Sequence, residues 1–429
     1  MPIILGSIAQ NIISITDTAF LGHVGHIALG ASAIGGVFYL AFIMLAFGFG
    51  TGAQIIIARR LGEGNNQKIG RVWEHAFYFL LMLAAIVFVI IKFYAPQILQ
   101  RFMVSDDVLH ATIEYLDIRA FGIFFAFVNM AFRAFFVGIG RTPIIAYTTV
   151  AMALINIFFD YVLIFGNLGF PEMGIRGAAL ASMFAEMATT GIVVLYTLIV
   201  IDYKKYSLFR FVKFRLKIFL RIFRIASPMM LTNFASIGTW FIFFIIIEHL
   251  GEMELAVSQI VRASYIVLLL PVWGYSSATN TMVSYYLGRK RPDMLWYSLK
   301  RILVLSVVSV ALITVLFFSF SETILSLFSN DPLLISMAFP VMLVISGAAV
   351  VLGIAFMLFN AVSGTGRTEI ALIIEVVTLV GYVWFAWMMA HRWSGEVAHV
   401  WTAEYLYALL IAGMSLIFLV SKRWEKAKV

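Results

Sequence analysis

The feature that most constrains this chain is its division into long, almost uncharged apolar runs, many of them 20 or more residues long. A helix of that length crosses the roughly 30 Å hydrocarbon core of a bilayer. It also satisfies its own backbone hydrogen bonds in lipid, whereas the strands of a membrane barrel would alternate in hydrophobicity. The runs predict about twelve transmembrane helices, at residues 2–22, 28–58, 72–95, 115–137, 143–165, 175–201, 225–249, 255–287, 294–320, 333–362, 368–390 and 402–421.

The composition supports an all-α polytopic membrane protein and argues against a soluble domain. Hydrophobic residues make up 62% of the chain and charged residues 12%, about half the charged fraction of a typical soluble protein. The chain has no cysteine, which excludes disulfide bonds and cysteine-ligated metal sites. No basic region followed by a cleavage pattern opens the sequence, so we expect no cleaved signal peptide.

Lys and Arg are concentrated in alternate loops, so the net charge of +8 indicates membrane topology rather than nucleic-acid binding. The positive-inside rule makes these loops and both termini cytoplasmic, in a multi-pass protein of the cell inner membrane. The segment 202–224 has one acid, Asp202, and is the most basic loop, with Lys204, Lys205, Arg210, Lys213, Arg215, Lys217, Arg221 and Arg224. We interpret it as a cytoplasmic connector lying on anionic headgroups.

The chain contains an internal repeat, because a shift of 226 residues brings landmarks of its two halves into register without a gap. The clearest match pairs Gly138–Thr142 with Gly364–Thr368. We predict an N-terminal six-helix lobe at 1–201, a basic linker at 202–224 and a C-terminal six-helix lobe at 225–429. Six spans return the chain to one side, so a pseudo-two-fold axis along the membrane normal should relate the lobes, with substrate sites near the midplane between them.

Acidic residues inside the predicted helices are the strongest functional signal, because a central carboxylate costs about 2.5–3.5 kcal/mol on insertion scales. Asp17 and Asp160 lie at similar depth in the outer half of the first lobe. Asn156 lies one turn before Asp160, Gln10 shares a face with Asp17, and Ser182 reaches the same depth. These hard oxygen ligands suit Na⁺, or the two carboxyl groups could share a proton. The structural alternative is that the polar side chains only link neighbouring helices.

The second half does not repeat this polar group. Asp17 corresponds to Phe243, Asp160 to Ala386 and Asn156 to Tyr382. The two lobes have therefore diverged, and we assign the ionisable site to the first lobe.

Two further acids, Glu186 and Glu375, lie at mid-depth in their helices. Each could contact a cationic substrate in a central cavity, or could form a structural ion pair with one of the buried bases, for which Arg133 and Arg262 are the candidates. The sequence leaves both interpretations open.

The sequence resembles the multidrug and toxic compound extrusion (MATE) family along nearly its whole length. The resemblance rests on Asp17–Gly22 with Gly25, Leu61–Asn65, Gly140–Thr142, Asn156–Asp160, Gly177–Ser182 and Gly366–Thr368. It implies an alternating-access antiporter of two six-helix lobes, with a cation site at Asp17, Asn156, Asp160 and Ser182, and Gln10 nearby. Some relatives use acids in helices 7 and 10, where this chain has Thr239, Trp240 and Asn360, so no acidic site is carried over there.

The resulting functional prediction is a secondary active exporter that exchanges small organic compounds, cationic or amphipathic, for Na⁺ or H⁺. A flippase for lipids or lipid-linked oligosaccharides is the alternative. We expect no enzymatic activity, since no acid-rich diphosphate motif or facing His/Asp pair occurs. His23 and His26 lack a third ligand, so we expect no metal beyond Na⁺ and no cofactor. The expected partners are the substrate and the bilayer, for a monomeric protein that binds no nucleic acid.

Overall fold

The computed structural model describes residues 2–101, 103, 105–320, 324–325, 331–393 and 396–425, which form helices joined by turns and contain no strand. Within these residues, twelve helical spans are long and apolar enough to cross a membrane. We label their main helices α1 (Pro2–Val24), α2 (His26–Gly62), α3 (Asn66–Val89), α4 (Asp106–Gly138), α5 (Pro143–Phe165), α6 (Gly174–Ile199), α7 (Leu216–Glu248), α8 (Glu252–Gly288), α9 (Asp293–Ser319), α10 (Pro332–Gly364), α11 (Thr368–Met388) and α12 (Ala403–Val420). The predicted all-α membrane fold is therefore confirmed.

Shorter helical pieces extend or connect the long helices. Helix α3 continues through a π-helical turn at Ile90–Tyr94 into Ala95–Leu99, and α11 continues through a π-helical turn at Met389–Trp393. The segment Val397–Trp401 precedes α12, and Tyr203–Tyr206 forms a short helix between α6 and α7.

Glycine turns end corresponding helices in the two halves. Gly140 and Gly366 follow α4 and α10 with φ values of +74° and +90°, a conformation that only glycine adopts without strain. Pro143 then opens α5, where its missing N–H costs no helical hydrogen bond. The repeated Gly-Arg-Thr sequence therefore forms the tight turn between two consecutive helices in each half.

The helix boundaries repeat as the sequence does. A shift of 226 residues carries both ends of α2 onto α8 and both ends of α4 onto α10. Helices of the same length thus end at equivalent turns in each half.

The chain divides into two compact units, Met1–Met230 and Leu231–Val429, and the boundary lies within α7. In the first unit α2 packs on α4, α5 on α6, α4 on α6, and α1 on α5. Helix α4 is the most enclosed of these, with 61% of its most apolar stretch buried against 17% for α1. Helix α1 is therefore held by the fewest buried side chains of the first unit.

The second unit has its own core, in which α10 packs on α8 and α12, and α11 packs on α12. Large apolar side chains remain exposed along both units, including Val37, Leu154 and Val380, each at least 65% exposed. Such side chains are stable in contact with lipid chains, which are as apolar as the side chains themselves.

Candidate functional site

The packing of α1 on α5 brings Asp17 and Asp160 together. A Cβ at Gly6 would lie 3.4 Å from the Thr149 Oγ1, so small residues let the two helices approach at one end. The rings of Phe20 and Phe165 meet at 5.6 Å near the other end. Between these contacts, the carboxyl groups of Asp17 and Asp160 are within hydrogen-bonding reach, so a proton on either carboxyl would join the pair.

The carboxyl pair has almost no internal hydrogen-bond donors. Both side-chain oxygens of Asp160 and Oδ1 of Asp17 are buried without a hydrogen-bond partner, as are both polar atoms of the Asn156 amide. Buried polar groups are normally paired, because leaving one unpaired costs about 1–3 kcal/mol. Asp160 and Asn156 are buried and Asp17 is half-buried, and their unpaired polar atoms could accept a proton or a small cation. Their role as a cation site stays a prediction.

The other two predicted residues are placed differently. Ser182 on α6 is half-buried and makes no hydrogen bond to Asp17 or Asp160. Gln10, about two turns from Asp17 on α1, has an exposed side chain. Their roles as cation ligands stay predictions.

Glu186 forms an ion pair, one of the two interpretations that the sequence left open, but with an arginine that was not among the expected partners. Its Oε1 accepts a hydrogen bond from Arg119 Nη2 at 2.9 Å, and the Tyr39 hydroxyl donates to Oε2 at 3.3 Å. The Arg119 guanidinium also lies 4.0 Å from the centre of the Tyr39 ring. A Cβ at Gly122 would lie 2.6 Å from Glu186 Oε2, so any larger residue there would make this carboxylate shift.

The base that pairs with Glu186 is Arg119 and not one of the expected arginines. Arg133 lies over the Phe47 ring at 4.7 Å, and Arg262 over the Phe244 ring at 5.5 Å. The predicted helix 115–137 placed Arg119 close to a helix end, where a long basic side chain reaches water easily. Because α4 begins at Asp106, Arg119 instead lies well inside the helix.

The ion pair and the aspartate pair belong to one charge cluster. Arg119 is close enough to interact electrostatically with Asp17 and Asp160, and Tyr115 lies among the same groups. Arg119 Nε and Nη1 are buried without a hydrogen-bond partner. With every group ionised, three carboxylates face one guanidinium, an excess of two negative charges. The cluster can therefore accept positive charge.

Hydrogen bonds between α4 and α6 hold this cluster in place. Asn129 Nδ2 donates to the Glu186 backbone oxygen at 3.1 Å, and the Thr190 hydroxyl donates to Asn129 Oδ1 at 3.1 Å. The backbone that carries Glu186 is thereby tied to α4.

In the second unit, Glu375 lies among hydroxyl groups. Its Oε1 accepts hydrogen bonds from Ser236 Oγ at 2.7 Å and from the Tyr407 hydroxyl at 3.0 Å. Glu375 is 2% exposed. Its expected contact with a substrate stays a prediction.

Glu404 is a second buried acid of this unit and was missed by the sequence analysis. Its carboxylate accepts hydrogen bonds from the Tyr265 hydroxyl and, at 2.9 Å, from the Tyr382 hydroxyl. The predicted helix 402–421 placed Glu404 at a helix end, which is an ordinary location for an acid. Nothing local to α12 indicated that tyrosines of α8 and α11 would surround it.

The position that corresponds to the aspartate pair is aromatic in the second unit. Phe243 and Tyr382, the counterparts of Asp17 and Asn156, pack with ring centroids 5.3 Å apart. Ala386, the counterpart of Asp160, is fully buried. The counterparts of Asp17, Asn156 and Asp160 in the second unit are thus two packed aromatic rings and an alanine, with no carboxylate.

The second unit also has an open groove of about 640 Å³ between α7 and α11. Its lining is apolar and aromatic and includes Thr239, Leu379, Trp384 and Trp387. This size is typical of small-molecule pockets, although the groove lies in the other unit from the aspartate pair. Within the described residues, no cluster of three or more His, Asp or Glu side chains could hold a metal ion.

Comparison with known proteins shows similarity to one family. The MatE family model matches residues 2–162 and again residues 228–388, the same offset as the internal repeat. A probable multidrug resistance protein NorM from Thermotoga maritima is 25% identical over 100% of this chain and 92% of its own length. A probable multidrug resistance protein YoeA from Bacillus subtilis is 23% identical over 96% of this chain and 90% of its own.

Solved structures show the same fold. A MATE crystallised in complex with MaL6 has a TM-score of 0.90 at 19% identity, covering 98% of this chain and 94% of that chain. An outward-facing multidrug resistance MATE family transporter of the MOP superfamily has a TM-score of 0.91 at 19% identity, covering 100% of this chain and 95% of that chain.

Proposed function

Because this chain belongs to the MatE family, we propose that it is a multidrug efflux transporter that exports small organic compounds in exchange for Na⁺ or H⁺. The multidrug resistance names of its relatives support the export activity. The Asp17–Asp160 pair carries the proposal of coupling, because a buried and a half-buried carboxyl group meet there and their buried oxygens have no internal donor. We place the protein in the inner membrane as a monomer with both termini in the cytoplasm.

Coupling follows from the charge of the cluster. A cation or proton at Asp17 and Asp160 removes part of the excess negative charge, which favours a conformation in which the two helices pack closely. The free energy available to drive export is limited by the difference between the ion's binding free energies in the two conformations. Inward movement of one positive charge adds about 2.3 kcal/mol per 100 mV of membrane potential.

Helix α1 is the element that we expect to move. It carries Asp17 and has the smallest buried share of the helices in its unit, 17% in its most apolar stretch. Elements with few buried contacts open at low cost. Loss of the cation would drive the two negative charges apart by moving α1 away from α5, and we propose that this displacement couples the ion to alternating access.

The substrates that fit this chain best are amphipathic or cationic organic compounds. The apolar groove between α7 and α11, with Trp384 and Trp387 in its wall, supports binding of an aromatic or apolar portion. Glu186 already has Arg119 as its counter-ion, so a cationic substrate would have to displace that arginine to reach it.

The test is efflux of a fluorescent cationic dye from proteoliposomes with an imposed Na⁺ or pH gradient. We expect Asp17→Asn and Asp160→Asn to reduce gradient-driven efflux by roughly 5–150-fold, the usual range for coupling between linked sites. Asp117→Asn is the matched control, because Asp117 is a half-exposed acid of the same unit that pairs with Lys92 at 3.0 Å. Full coupled efflux in both aspartate variants would refute the assignment.

The same vesicles separate export from lipid translocation. If this protein were a flippase, labelled lipid would cross the bilayer in its presence while the dye gradient stayed unchanged. No feature of the described residues favours that alternative, and the family match supports export.

A further inference from the structure

The connecting segment 202–224 has an unusual surface that the transport proposal does not use. Eight basic side chains accompany the single acid Asp202. All eight are exposed, and none forms an ion pair with a described residue: Lys204, Lys205, Arg210, Lys213, Arg215, Lys217, Arg221 and Arg224. A concentration of unpaired positive charge on one segment is expensive to hold unless anions compensate it.

The segment has a defined conformation. Asp202 caps the short helix Tyr203–Tyr206 by accepting a hydrogen bond from the Lys205 N–H at 3.0 Å. The following backbone passes three times through the left-handed region, at Ser207, Phe209 and Phe211. Conformations of this kind persist in non-glycine residues only where the surroundings hold them.

Glu74 of α3 holds the centre of the segment through its backbone. Its Oε1 accepts from the Phe211 N–H at 2.9 Å, and its Oε2 accepts from the Val212 N–H at 3.0 Å. Successive N–H groups that converge on one carboxylate form a backbone anion nest. Glu74 is 1% exposed, so it anchors the segment from inside the unit.

His75 provides a second anchor one residue later. Its Nε2 accepts from the Arg215 N–H at 2.9 Å, while its Nδ1 lies 2.7 Å from the Arg71 carbonyl oxygen and donates to it in that tautomer. The Tyr78 hydroxyl donates to the Val212 oxygen at 3.3 Å. Because these contacts use main-chain atoms of the segment, its basic side chains stay available.

Exposed apolar side chains alternate with these basic ones. Phe211 is 62% exposed, Phe214 52%, Leu216 60% and Leu220 52%. Water alone is a poor environment for such a row, whereas the boundary between headgroups and acyl chains accommodates both kinds of side chain.

The segment lies against the ends of the helices rather than projecting from them. The Tyr206 ring meets Phe135 near the end of α4 at 5.5 Å, and Phe209 meets Trp73 near the start of α3 at 5.4 Å. This end of the unit also carries the basic turn between α2 and α3, which the positive-inside rule places at the cytoplasmic headgroups.

We propose that the segment 202–224 is a preformed binding surface for the headgroups of anionic phospholipids, held in shape by Glu74 and His75. The unpaired basic side chains contact the phosphates, and the interleaved apolar side chains enter the upper acyl region. Since the backbone is already ordered, binding does not have to order it. This inference is independent of the transported ion and substrate.

The test uses the full chain in nanodiscs of phosphatidylcholine containing spin-labelled phosphatidylglycerol. The measured quantity is the association of the labelled lipid with the protein relative to labelled phosphatidylcholine, at low and at high salt. The variant Lys213→Gln/Arg215→Gln/Lys217→Gln removes three charges and leaves the backbone anchors intact. We expect it to lower the phosphatidylglycerol preference by roughly tenfold or more at low salt.

The control is Arg289→Gln/Lys290→Gln/Arg291→Gln/Asp293→Asn in the exposed turn after α8, where Asp293 is replaced as well because it pairs with Arg291. It removes a net charge of two, so it is compared with the first variant per unit of charge removed. That turn lacks the row of exposed apolar side chains, so removing its basic side chains should reduce the preference for phosphatidylglycerol much less. An equal reduction per unit of charge in both variants, or none in the first, would overturn the proposal.

Glu74→Gln separates a preformed surface from general charge attraction. The substitution makes the protein more positive, so attraction alone predicts tighter binding of phosphatidylglycerol. Loss of the nest predicts weaker binding, which is our expectation, and gel filtration checks that the variant is folded. Stronger binding of phosphatidylglycerol by Glu74→Gln would contradict the proposal. So would binding of inorganic phosphate or of an RNA oligonucleotide to the protein in detergent, if its affinity equals that for the lipid and the Lys213/Arg215/Lys217 variant loses it.

Discussion

At the scale of single residues, the decisive difference is between carboxylates that have a counter-ion and those that lack one. Glu186 faces Arg119 at 2.9 Å, so its charge is already compensated. Asp17 and Asp160 share only each other and a more distant arginine. The aspartate pair is therefore the part of the cluster that gains most from an added cation, while Glu186 holds Arg119 near it.

Removal of Arg119 should destabilise the first unit strongly. Arg119→Gln leaves Glu186 buried beside two other carboxylates, and breaking a buried pair in this way typically costs about 3–5 kcal/mol. We expect a clear decrease in the thermal unfolding temperature of the purified protein in detergent. The double variant Arg119→Gln/Glu186→Gln should recover part of the loss, because it leaves no unpaired charge at this pair.

An exposed ion pair provides the control for that prediction. Arg291 and Asp293 meet at 2.7 Å, yet their side chains are 59% and 55% exposed. Exposed pairs contribute about 0–1 kcal/mol, so Arg291→Gln should leave the unfolding temperature nearly unchanged. Equal effects of the two arginine substitutions would show that the Arg119 pair is not a buried charge interaction.

At the scale of elements, close helix crossings position the site. A Cβ at Gly177 would lie 2.6 Å from the backbone carbonyl carbon of Leu163, so α6 touches the backbone of α5 one turn beyond Asp160. Small residues at such crossings allow the short separations that packing in lipid requires. The position of Asp160 relative to its neighbours thus depends on a residue without a side chain on the next helix.

Gly177→Ala should therefore destabilise the protein, although it adds only one methyl group. The added methyl group meets backbone atoms that cannot rotate away, and overpacking of this kind usually costs about 1–3 kcal/mol. Gly191→Ala on the same helix is the matched control, because nothing lies within 4 Å of its added Cβ. We expect the first variant to unfold at a lower temperature and the second to be unchanged or more stable; the reverse order would refute the crossing argument.

Helix ends show how hydropathy and structure differ at this scale. The prediction for α4 began at 115, whereas the helix begins at Asp106, where the Ser105 side chain accepts from the Val108 N–H at 3.4 Å. Similarly, α7 begins at Leu216 instead of 225. Hydropathy detects only the apolar part of a helix, and the polar turns beyond it continue the same backbone hydrogen bonding.

At the scale of the whole molecule, the two units have similar helix lengths but different polar content. The MatE model matches both halves at the offset of 226 residues, in agreement with the repeat found in the sequence. Carboxylates meet at the α1–α5 contact in the first unit, and aromatic rings occupy the equivalent place in the second. The two units therefore differ at this contact, where the first has carboxyl groups and the second has aromatic rings.

The predicted topology can be tested cleanly because the chain has no cysteine of its own. We expect a membrane-impermeant thiol reagent to label Lys68→Cys, Lys213→Cys and Lys290→Cys only from the cytoplasmic side. Glu172→Cys and Glu252→Cys should be labelled only from the outside, since all five positions are exposed. The topology predicts an even number of spans between any two positions of the same group. Labelling of two such positions from opposite sides of the membrane would disprove it.

The sequence by itself determined the membrane class, the twelve helices, the repeat and the family, because these depend on quantities that add up along the chain: transfer free energy per residue, loop charge and local turn residues. It also singled out Asp17 and Asp160, since burying a carboxylate in lipid is costly wherever it occurs. The pairing of Arg119 with Glu186 and the placement of Glu404 among tyrosines were decided only by the tertiary structure. Those contacts join residues far apart in the chain, and which helix faces meet depends on the packing of all the helices together.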